Sequence, residues 1–311
     1  MCIRDRLYNQ NITYFLELEF EKSVDQWIIE YEDLNFNEMM ASGSTCKVYH
    51  GTYRNMEVAI KKLNTPNPMK KFRYLKEFKR ELSVLISIPK HPNVVSLYGF
   101  CIYKEEIYFV FEYCHGQTLF DILYRKETRL KLNLKQKLKI LCDIARSIQY
   151  LHELNPQLIH RDLKTLNILL DRKISTDSMS FSAKISDFGL TRLFEANEEF
   201  LTKRMGTFHW MAPEVFANKP YSTKSDMYGF AIIMWEIFSQ KTPYYHLEDP
   251  SQVIKFVFYK GGRPDLRDCK IPKKYEKRIK KLIQRNWDDK PEIRQEFAEL
   301  YTDLEEIINE L

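Results

Sequence analysis

The dominant spacing of apolar residues shifts near Gly116, and that shift restricts the fold more than any other feature. Ahead of it the dominant step is the two-residue alternation of strands. Residues 36–63 read as three strands, with Lys47-Val48-Tyr49-His50 and Glu57-Val58-Ala59-Ile60-Lys61 as the clearest runs. Arg54-Asn55 falls between them as a hairpin turn, because Asn tolerates φ > 0. One helix is predicted over 70–88, where Phe72, Leu75, Phe78, Leu82 and Leu85 recur at three- and four-residue steps and Pro89 and Pro92 end it. Two more strands are predicted over 94–100 and 106–112. Beyond Gly116 the pattern is helical, over 118–125, 134–153, 223–239, 249–260, 273–286 and 292–309, with a loop-rich stretch at 155–222. A strand-rich front and a helix-rich back predict an α+β chain of two lobes with a cleft between them.

With 311 residues, 44% of them apolar and 14% aromatic, each lobe can have its own core. The net charge of +5 is small, and the basic residues gather in two runs. One is Lys70, Lys71, Arg73, Lys76, Lys79 and Arg80; the other is Lys273, Lys274, Lys277, Arg278, Lys280 and Lys281. Both alternate with apolar residues at helical spacing and are interrupted by glutamates. They read as solvated helix faces, not as a nucleic-acid or lipid patch. The longest apolar stretch, Gly229 to Phe238, contains Glu236. It falls far short of the ~20 residues of a membrane helix, so no membrane insertion is expected. The charged first residues carry no apolar core after them, so no secretory signal is expected. The six cysteines, Cys2, Cys46, Cys101, Cys114, Cys142 and Cys269, form no C-x-x-C pair and no zinc-ligand spacing. A reduced, cytoplasmic protein is expected. Residues 1–26 are set aside as a leader of uncertain origin, in which 1–6 (MCIRDR) read as translated adapter.

Four short motifs follow one another: Val58-Ala59-Ile60-Lys61, His160-Arg161-Asp162-Leu163-Lys164-Thr165-Leu166-Asn167, Asp187-Phe188-Gly189 and Ala212-Pro213-Glu214. Each is short enough to arise by chance, but all four in this order and spacing are not. On these residues the sequence resembles the protein kinase superfamily from Trp27 to Leu304. The resemblance implies a bilobal fold: an N-lobe at 27–111 with a small antiparallel sheet and one main helix, a connector at 112–116, and a mainly helical C-lobe at 117–311. It implies transfer of the γ-phosphoryl group of ATP, with Mg²⁺, to hydroxyls of protein substrates.

The same resemblance assigns roles. Lys61 would bind the α- and β-phosphates and pair with Glu81 on the helix at 70–88. Asp162 would accept or orient the substrate hydroxyl proton, and Lys164 would steady the γ-phosphate. Asn167 and Asp187 would hold Mg²⁺, an ion suited to hard oxygen ligands. Val48, Ala59 and Leu169 would sandwich the adenine, the connector Glu112-Tyr113-Cys114 would read its edge, Phe111 would narrow the rear of the pocket, and Asp121 would reach the ribose. His160 would be structural, in a hydrophobic column with Phe188, Leu85 and Leu97. Arg161 would meet a phosphorylated residue of the loop 190–214, first Thr202 and second Thr191, modified by an upstream kinase or by autophosphorylation. Thr207 would be a structural hydroxyl. Glu214 would pair with Arg294, and Asp226 would bond the backbone of the catalytic loop.

Two features depart from the family pattern. Where the phosphate loop normally reads Gly-x-Gly-x-x-Gly, this chain reads Ala41-Ser42-Gly43-Ser44-Thr45-Cys46, and only Gly43 remains to keep the tip free. ATP is expected to bind, less tightly than with three glycines. Between Asp171 and Lys184 the chain is long, which reads as a surface insertion in a β-hairpin.

Lys164, two residues past Asp162, resembles serine/threonine kinases, whereas Trp27-Ile28-Ile29, the run Gly206 to Glu214 and Trp287 have tyrosine-kinase style. The combination resembles the tyrosine-kinase-like group, which includes the Raf and mixed-lineage kinases, and serine/threonine transfer in intracellular signalling is expected. Dual specificity stays open. A pseudokinase scaffold with weak ATP binding is the rival reading. The altered glycine loop supports it, while Lys61, Glu81, Asp162, Lys164, Asn167 and Asp187 oppose it. A small-molecule kinase is disfavoured by the Ala-Pro-Glu segment and the helices after it.

Overall fold

A computed structural model describes residues 24–43, 46–64, 71–175, 179–187, 208–217, 219–247 and 249–311, with backbone only over 71–77. The expectations for Ser44, Thr45, Phe188, Gly189, Thr191, Thr202 and Thr207, and for the side chains of Phe72 and Leu75, lie outside the described residues. The chain divides into two compact units, one running to His91 and joined by Val95–Cys114, the other built from Pro92–Val94 and His115–Leu311.

The first unit is an antiparallel sheet of β1 (Leu34–Ser42), β2 (Cys46–Tyr53), β3 (Met56–Leu63), β4 (Leu97–Tyr103) and β5 (Glu106–Glu112), in the order β1-β2-β3-β5-β4, with the helix α1 (Lys71–Ser87). The β2–β3 turn is made by Arg54 and Asn55, both at positive φ, as the hairpin reading requires. Strand alternation divides the side chains between two faces. Val58, Ile60, Tyr108 and Val110 join Ile29, Leu34 and Cys101 in one core, which Tyr31 covers, stacked on Tyr103 at 3.9 Å. On the other face Phe109 meets Phe78 from α1 with the rings tilted and 5.5 Å apart, and Leu82 and Leu85 of the same helix are also buried. Burying such a side chain is worth about 1.5–3 kcal/mol, so three of them are enough to hold the helix on the sheet.

The fourth strand begins later than expected, at Leu97 instead of residue 94. The reason is that Asn93 and Val94 are engaged elsewhere: Val94 bridges Ile185, and Asn93 bonds the backbone of Ala183 and Ile185 in the second unit.

In the second unit follow α2 (Leu119–Tyr124), α3 (Leu134–Glu153), the ribbon β6 (Ile168–Leu170) and β7 (Ala183–Ile185), then α4 (Pro213–Phe216), α5 (Thr223–Ser239), α6 (Pro250–Ile254), α7 (Lys273–Asn286) and α8 (Phe297–Asn309). Capping boxes start three of the helices: Thr118 with Asp121, Asn133 with Gln136, and Ser222 with Ser225. Helix α5 is buried all round from Ser225 to Ser239, as an apolar helix without a polar face must be. α7 packs on α5, and α8 on α3.

Two helix expectations need correction. The single helix over 249–260 is α6 followed by a wider π turn over Lys255–Tyr259. The single helix over 292–309 is a short turn, Pro291–Ile293, then α8 from Phe297. The break exists because Arg294 and Gln295 turn inward: Arg294 bonds Glu214, and the Gln295 N–H donates to Asn286 Oδ1 at 2.8 Å. The β6–β7 connection is a long hairpin loop, and its described ends are tied down. Ser182 N–H donates to Asp171 Oδ1 at 2.7 Å, Gln136 Nε2 donates to the Ser175 carbonyl at 3.1 Å, and Ile174 and Phe181 are buried.

Candidate active site

Strand register in the first unit brings together three residues read from the sequence. Val48 stands opposite Lys61, Lys61 opposite Phe109, and Ala59 opposite Phe111. Directly opposed residues share a face, so Val48, Ala59 and Lys61 lie on the side that carries α1. Lys61 is 5% exposed, and Glu81 on α1 is 3% exposed. Two buried groups of opposite charge are tolerated when paired, since an isolated buried ion is strongly disfavoured. At the end of β5, Glu112 is held to Ser96 both ways: its N–H donates to the Ser96 carbonyl at 2.9 Å, and its Oε2 accepts the Ser96 N–H at 3.2 Å. Cys114 is buried two residues on.

Gly43, expected to keep the tip of the phosphate loop free, is itself held by two bonds. The Gly43 N–H donates to the Cys46 carbonyl at 2.9 Å, and its carbonyl accepts from Asn64 Nδ2 at 3.1 Å.

In the second unit, one turn gathers the catalytic-loop residues. Asp162 Oδ2 accepts from Lys164 Nζ at 2.7 Å and from Asn167 Nδ2 at 3.0 Å, and Asn167 Nδ2 also reaches the Asp162 carbonyl at 2.8 Å. Asp162 Oδ1 is buried and has no hydrogen-bond partner among the described residues. The carboxylate is therefore oriented through one oxygen while the other is left for an incoming donor. A hydroxyl hydrogen is a donor of the right size.

His160 is fully buried, and its proton can be located from its neighbours. Asp162 N–H donates to Nδ1 at 3.3 Å, so Nδ1 carries the lone pair; Nε2 lies 3.1 Å from the Ser186 carbonyl, so Nε2 carries the hydrogen. Burial holds the imidazole below its ordinary pKa, which agrees with a neutral ring. The residue connects the backbone at Asp162 to that beside Asp187, a structural part as expected.

The β6–β7 ribbon sets Asn167 and Asp187 at one end. Ile168 pairs with Ile185, and one step out Ser186 donates its N–H to the Asn167 carbonyl at 2.9 Å. Asp187 comes next, at φ 59, in the left-handed region where Asp is among the better tolerated residues. Leu169, between the fully buried Ile168 and Leu170, faces outward on the ribbon.

The donor set suits Mg²⁺. The Asn167 amide nitrogen donates twice to Asp162, which directs its oxygen away from Asp162, and Asp187 supplies a carboxylate. No group of three or more His, Cys, Asp or Glu side chains that could hold a metal occurs among the described residues. Mg²⁺ needs no such cage, since it is commonly held by one or two carboxylates together with phosphates and water.

Asp226 and the Glu214–Arg294 pair stand where the sequence put them. Asp226 accepts the N–H of His160 at 2.8 Å and of Arg161 at 2.9 Å. Arg161 sits at φ 68, a conformation that costs about 1–3 kcal/mol for a non-glycine residue, and these bonds help to hold it. Its guanidinium lies over the Tyr221 ring at 5.8 Å. Glu214 takes two bonds from Arg294, at 2.7 and 2.8 Å. Asp121 closes the α2 capping box and pairs with Arg125 at 2.6 Å.

Sequence reasoning missed two contributors. His152, at the end of α3, donates from Nε2 to Asp226 Oδ2 at 2.9 Å. Its signal was a polar residue four positions after Ile148, on the same helix face. Glu236, fully buried in α5, has Oε1 2.7 Å from the Tyr124 hydroxyl and accepts from Thr165 at 3.0 Å and from Trp210 Nε1 at 2.5 Å, and so ties the catalytic loop to the segment before α4. Its signal was the lone carboxyl in an apolar run. Burial pushes its pKa up to about 8.

The family model described as protein tyrosine and serine/threonine kinase matches residues 34–304. The chain is 38% identical over 280 residues to RGS domain-containing serine/threonine-protein kinase A of Dictyostelium discoideum, covering 90% of this chain and 23% of that protein. It is 32% identical over 307 residues to serine/threonine-protein kinase STY17 of Arabidopsis thaliana, covering 99% and 50%. It is 35% identical over 283 residues to human serine/threonine-protein kinase TNNI3K, covering 90% and 32%. The chain thus spans between about a quarter and a half of the length of these relatives. Kinases of this family generally use ATP with Mg²⁺ and act on protein substrates. With this match over most of its length, the chain belongs to the protein kinase family, in its tyrosine-kinase-like group.

Proposed function

We propose that this chain transfers the γ-phosphoryl group of ATP to serine and threonine hydroxyls of protein substrates. The observation that carries the reading is the half-engaged carboxylate of Asp162: Lys164 and Asn167 hold Oδ2, and the buried Oδ1 has no partner among the described residues. Phosphoryl transfer depends almost entirely on positioning and charge stabilisation, and an oriented acceptor for the hydroxyl proton is the part that the protein itself supplies.

In this reading Asp162 orients the substrate hydroxyl and Lys164 turns to the γ-phosphate once nucleotide is bound. Asn167 and Asp187 hold Mg²⁺, which when bound neutralises the charge on the phosphates. Lys61, supported by Glu81, takes the α- and β-phosphates. Gly43 lies at the phosphate loop, Val48, Ala59 and Leu169 contact the adenine, and Glu112 and Cys114 lie where its edge is read. The serine/threonine preference is supported by Lys164 and by the names of the relatives.

Thr202 remains the first candidate for regulatory phosphorylation, by an upstream kinase or by the chain itself, and that reading rests on sequence. The free thiols of the five described cysteines support a cytoplasmic location. The pseudokinase reading draws on Ala41 and Cys46, and it leaves the arrangement around Asp162 without a purpose.

The reading is tested by incubation with labelled ATP and Mg²⁺ on a peptide array with serine, threonine and tyrosine acceptors. Label on serine and threonine peptides is expected. Label on tyrosine alone, or none at all, contradicts it.

A further inference from the structure

Asn64 stands one residue past the end of β3, and its side chain is bonded to the phosphate loop. Strand register explains how the two meet. Ser42 pairs with Lys47 and Cys46 with Leu63, so Gly43 and Asn64 are each one step beyond the last paired residue, on either side of Cys46. The Gly43 N–H closes the β1–β2 hairpin on the Cys46 carbonyl at 2.9 Å, and Asn64 Nδ2 grips the Gly43 carbonyl at 3.1 Å. The loop entrance is thus pinned by one bond from β2 and one from beyond β3.

Space does not require a glycine here, since a Cβ on Gly43 would meet only the Cys46 carbonyl at 3.7 Å. What holds Gly43 in place is the pair of hydrogen bonds. Meanwhile Ala41 and Cys46 are ordinary strand residues, opposite Val48 and Leu63. A backbone group that binding must first immobilise costs entropy, and one already held by hydrogen bonds, as Gly43 is, loses less when ligand arrives.

We propose that Asn64 is a positioning residue for nucleotide phosphates, a side-chain staple that presets Gly43 at the entrance of the phosphate loop. The proposal rests on the kinase reading. It predicts an effect confined to ligands that carry phosphates.

The experiment is calorimetric binding of Mg·ADP and of adenosine to the wild-type chain, Asn64→Ala and Asn64→Gln, with thermal unfolding of each unliganded protein and labelled-phosphate transfer by the wild type. Asn64→Ala is expected to weaken Mg·ADP by about threefold to tenfold, the range of one net hydrogen bond. Adenosine affinity and the unliganded Tm should stay at wild-type values, and Asn64→Gln, which keeps the donor, should recover most of the loss. Unchanged Mg·ADP affinity in Asn64→Ala, or an equal loss for adenosine, overturns the staple while the wild type still binds nucleotide and transfers phosphate. A wild type that binds neither ligand overturns the kinase reading and the staple with it.

Discussion

Asn167 donates its side-chain amide to Asp162 twice, to the backbone carbonyl at 2.8 Å and to Oδ2 at 3.0 Å. One residue thereby fixes both the main chain and the carboxylate of the proposed catalytic aspartate, and its own oxygen points away from them, as the proposed metal role requires.

Asn167→Asp keeps an oxygen for Mg²⁺ but removes both donors and sets a carboxylate against another. Its turnover is expected to fall at least about 10²-fold, the scale of a misplaced catalytic group, and raised Mg²⁺ should not restore it. Initial rates across a Mg²⁺ titration check this; recovery at high Mg²⁺ would assign Asn167 to metal binding alone.

Asp226 satisfies the backbone N–H groups of His160 and Arg161 from inside the second unit, where it is 2% exposed. Asp226→Ala leaves three donors without this partner, the N–H groups of His160 and Arg161 and Nε2 of His152, each buried one worth about 1–3 kcal/mol. A destabilisation of about 2–5 kcal/mol is expected in urea unfolding, with a smaller loss in Asp226→Asn, which keeps one oxygen.

The hydrogens around Glu236 point to a protonated carboxyl. The Tyr124 hydroxyl lies 2.7 Å from Glu236 Oε1 and 2.9 Å from the Lys241 carbonyl, yet has one hydrogen. With a proton on Glu236, the carboxyl donates to Tyr124, and Tyr124 donates to Lys241. No cation among the described residues pairs with Glu236, and burial raises its pKa from 4.5 to about 8. Over that window the native chain keeps a proton that the unfolded chain has released, so stability falls as pH rises from about 4.5 to 8 and levels off above. The full effect is on the order of several kcal/mol. His160 acts oppositely: its lowered pKa removes stability as pH falls below 6.5. Glu236→Gln should flatten the decline toward pH 8 in denaturant midpoints; an unchanged slope would place the proton elsewhere.

Much of this was legible beforehand because it depends on local rules. Helix α3, bounded by Asn133 and Leu154, was readable to the residue from apolar spacing, and the Arg54-Asn55 turn from its chemistry. The pairing of Glu214 with Arg294 followed from resemblance. The chain break at Arg294 did not, because the buried ion pair that causes it joins residues 80 apart in sequence. The late start of β4 was hidden for the same reason: Asn93 and Val94 are claimed by β7, about 90 residues on. Around the proposed site, the resemblance of the motif His160 to Asn167 pointed to Asp162 and Asn167, whereas His152, Glu236 and Asn64 act through partners that only the folded chain reveals.

The central claim, that Asp162 makes this chain a catalyst, is tested most directly by phosphate transfer from labelled ATP to a generic basic protein with Mg²⁺, comparing wild type with Asp162→Asn. The substitution preserves shape and removes the negative charge. Incorporation by the wild type and near-background incorporation by the variant are predicted; equal incorporation by the two would contradict the assignment.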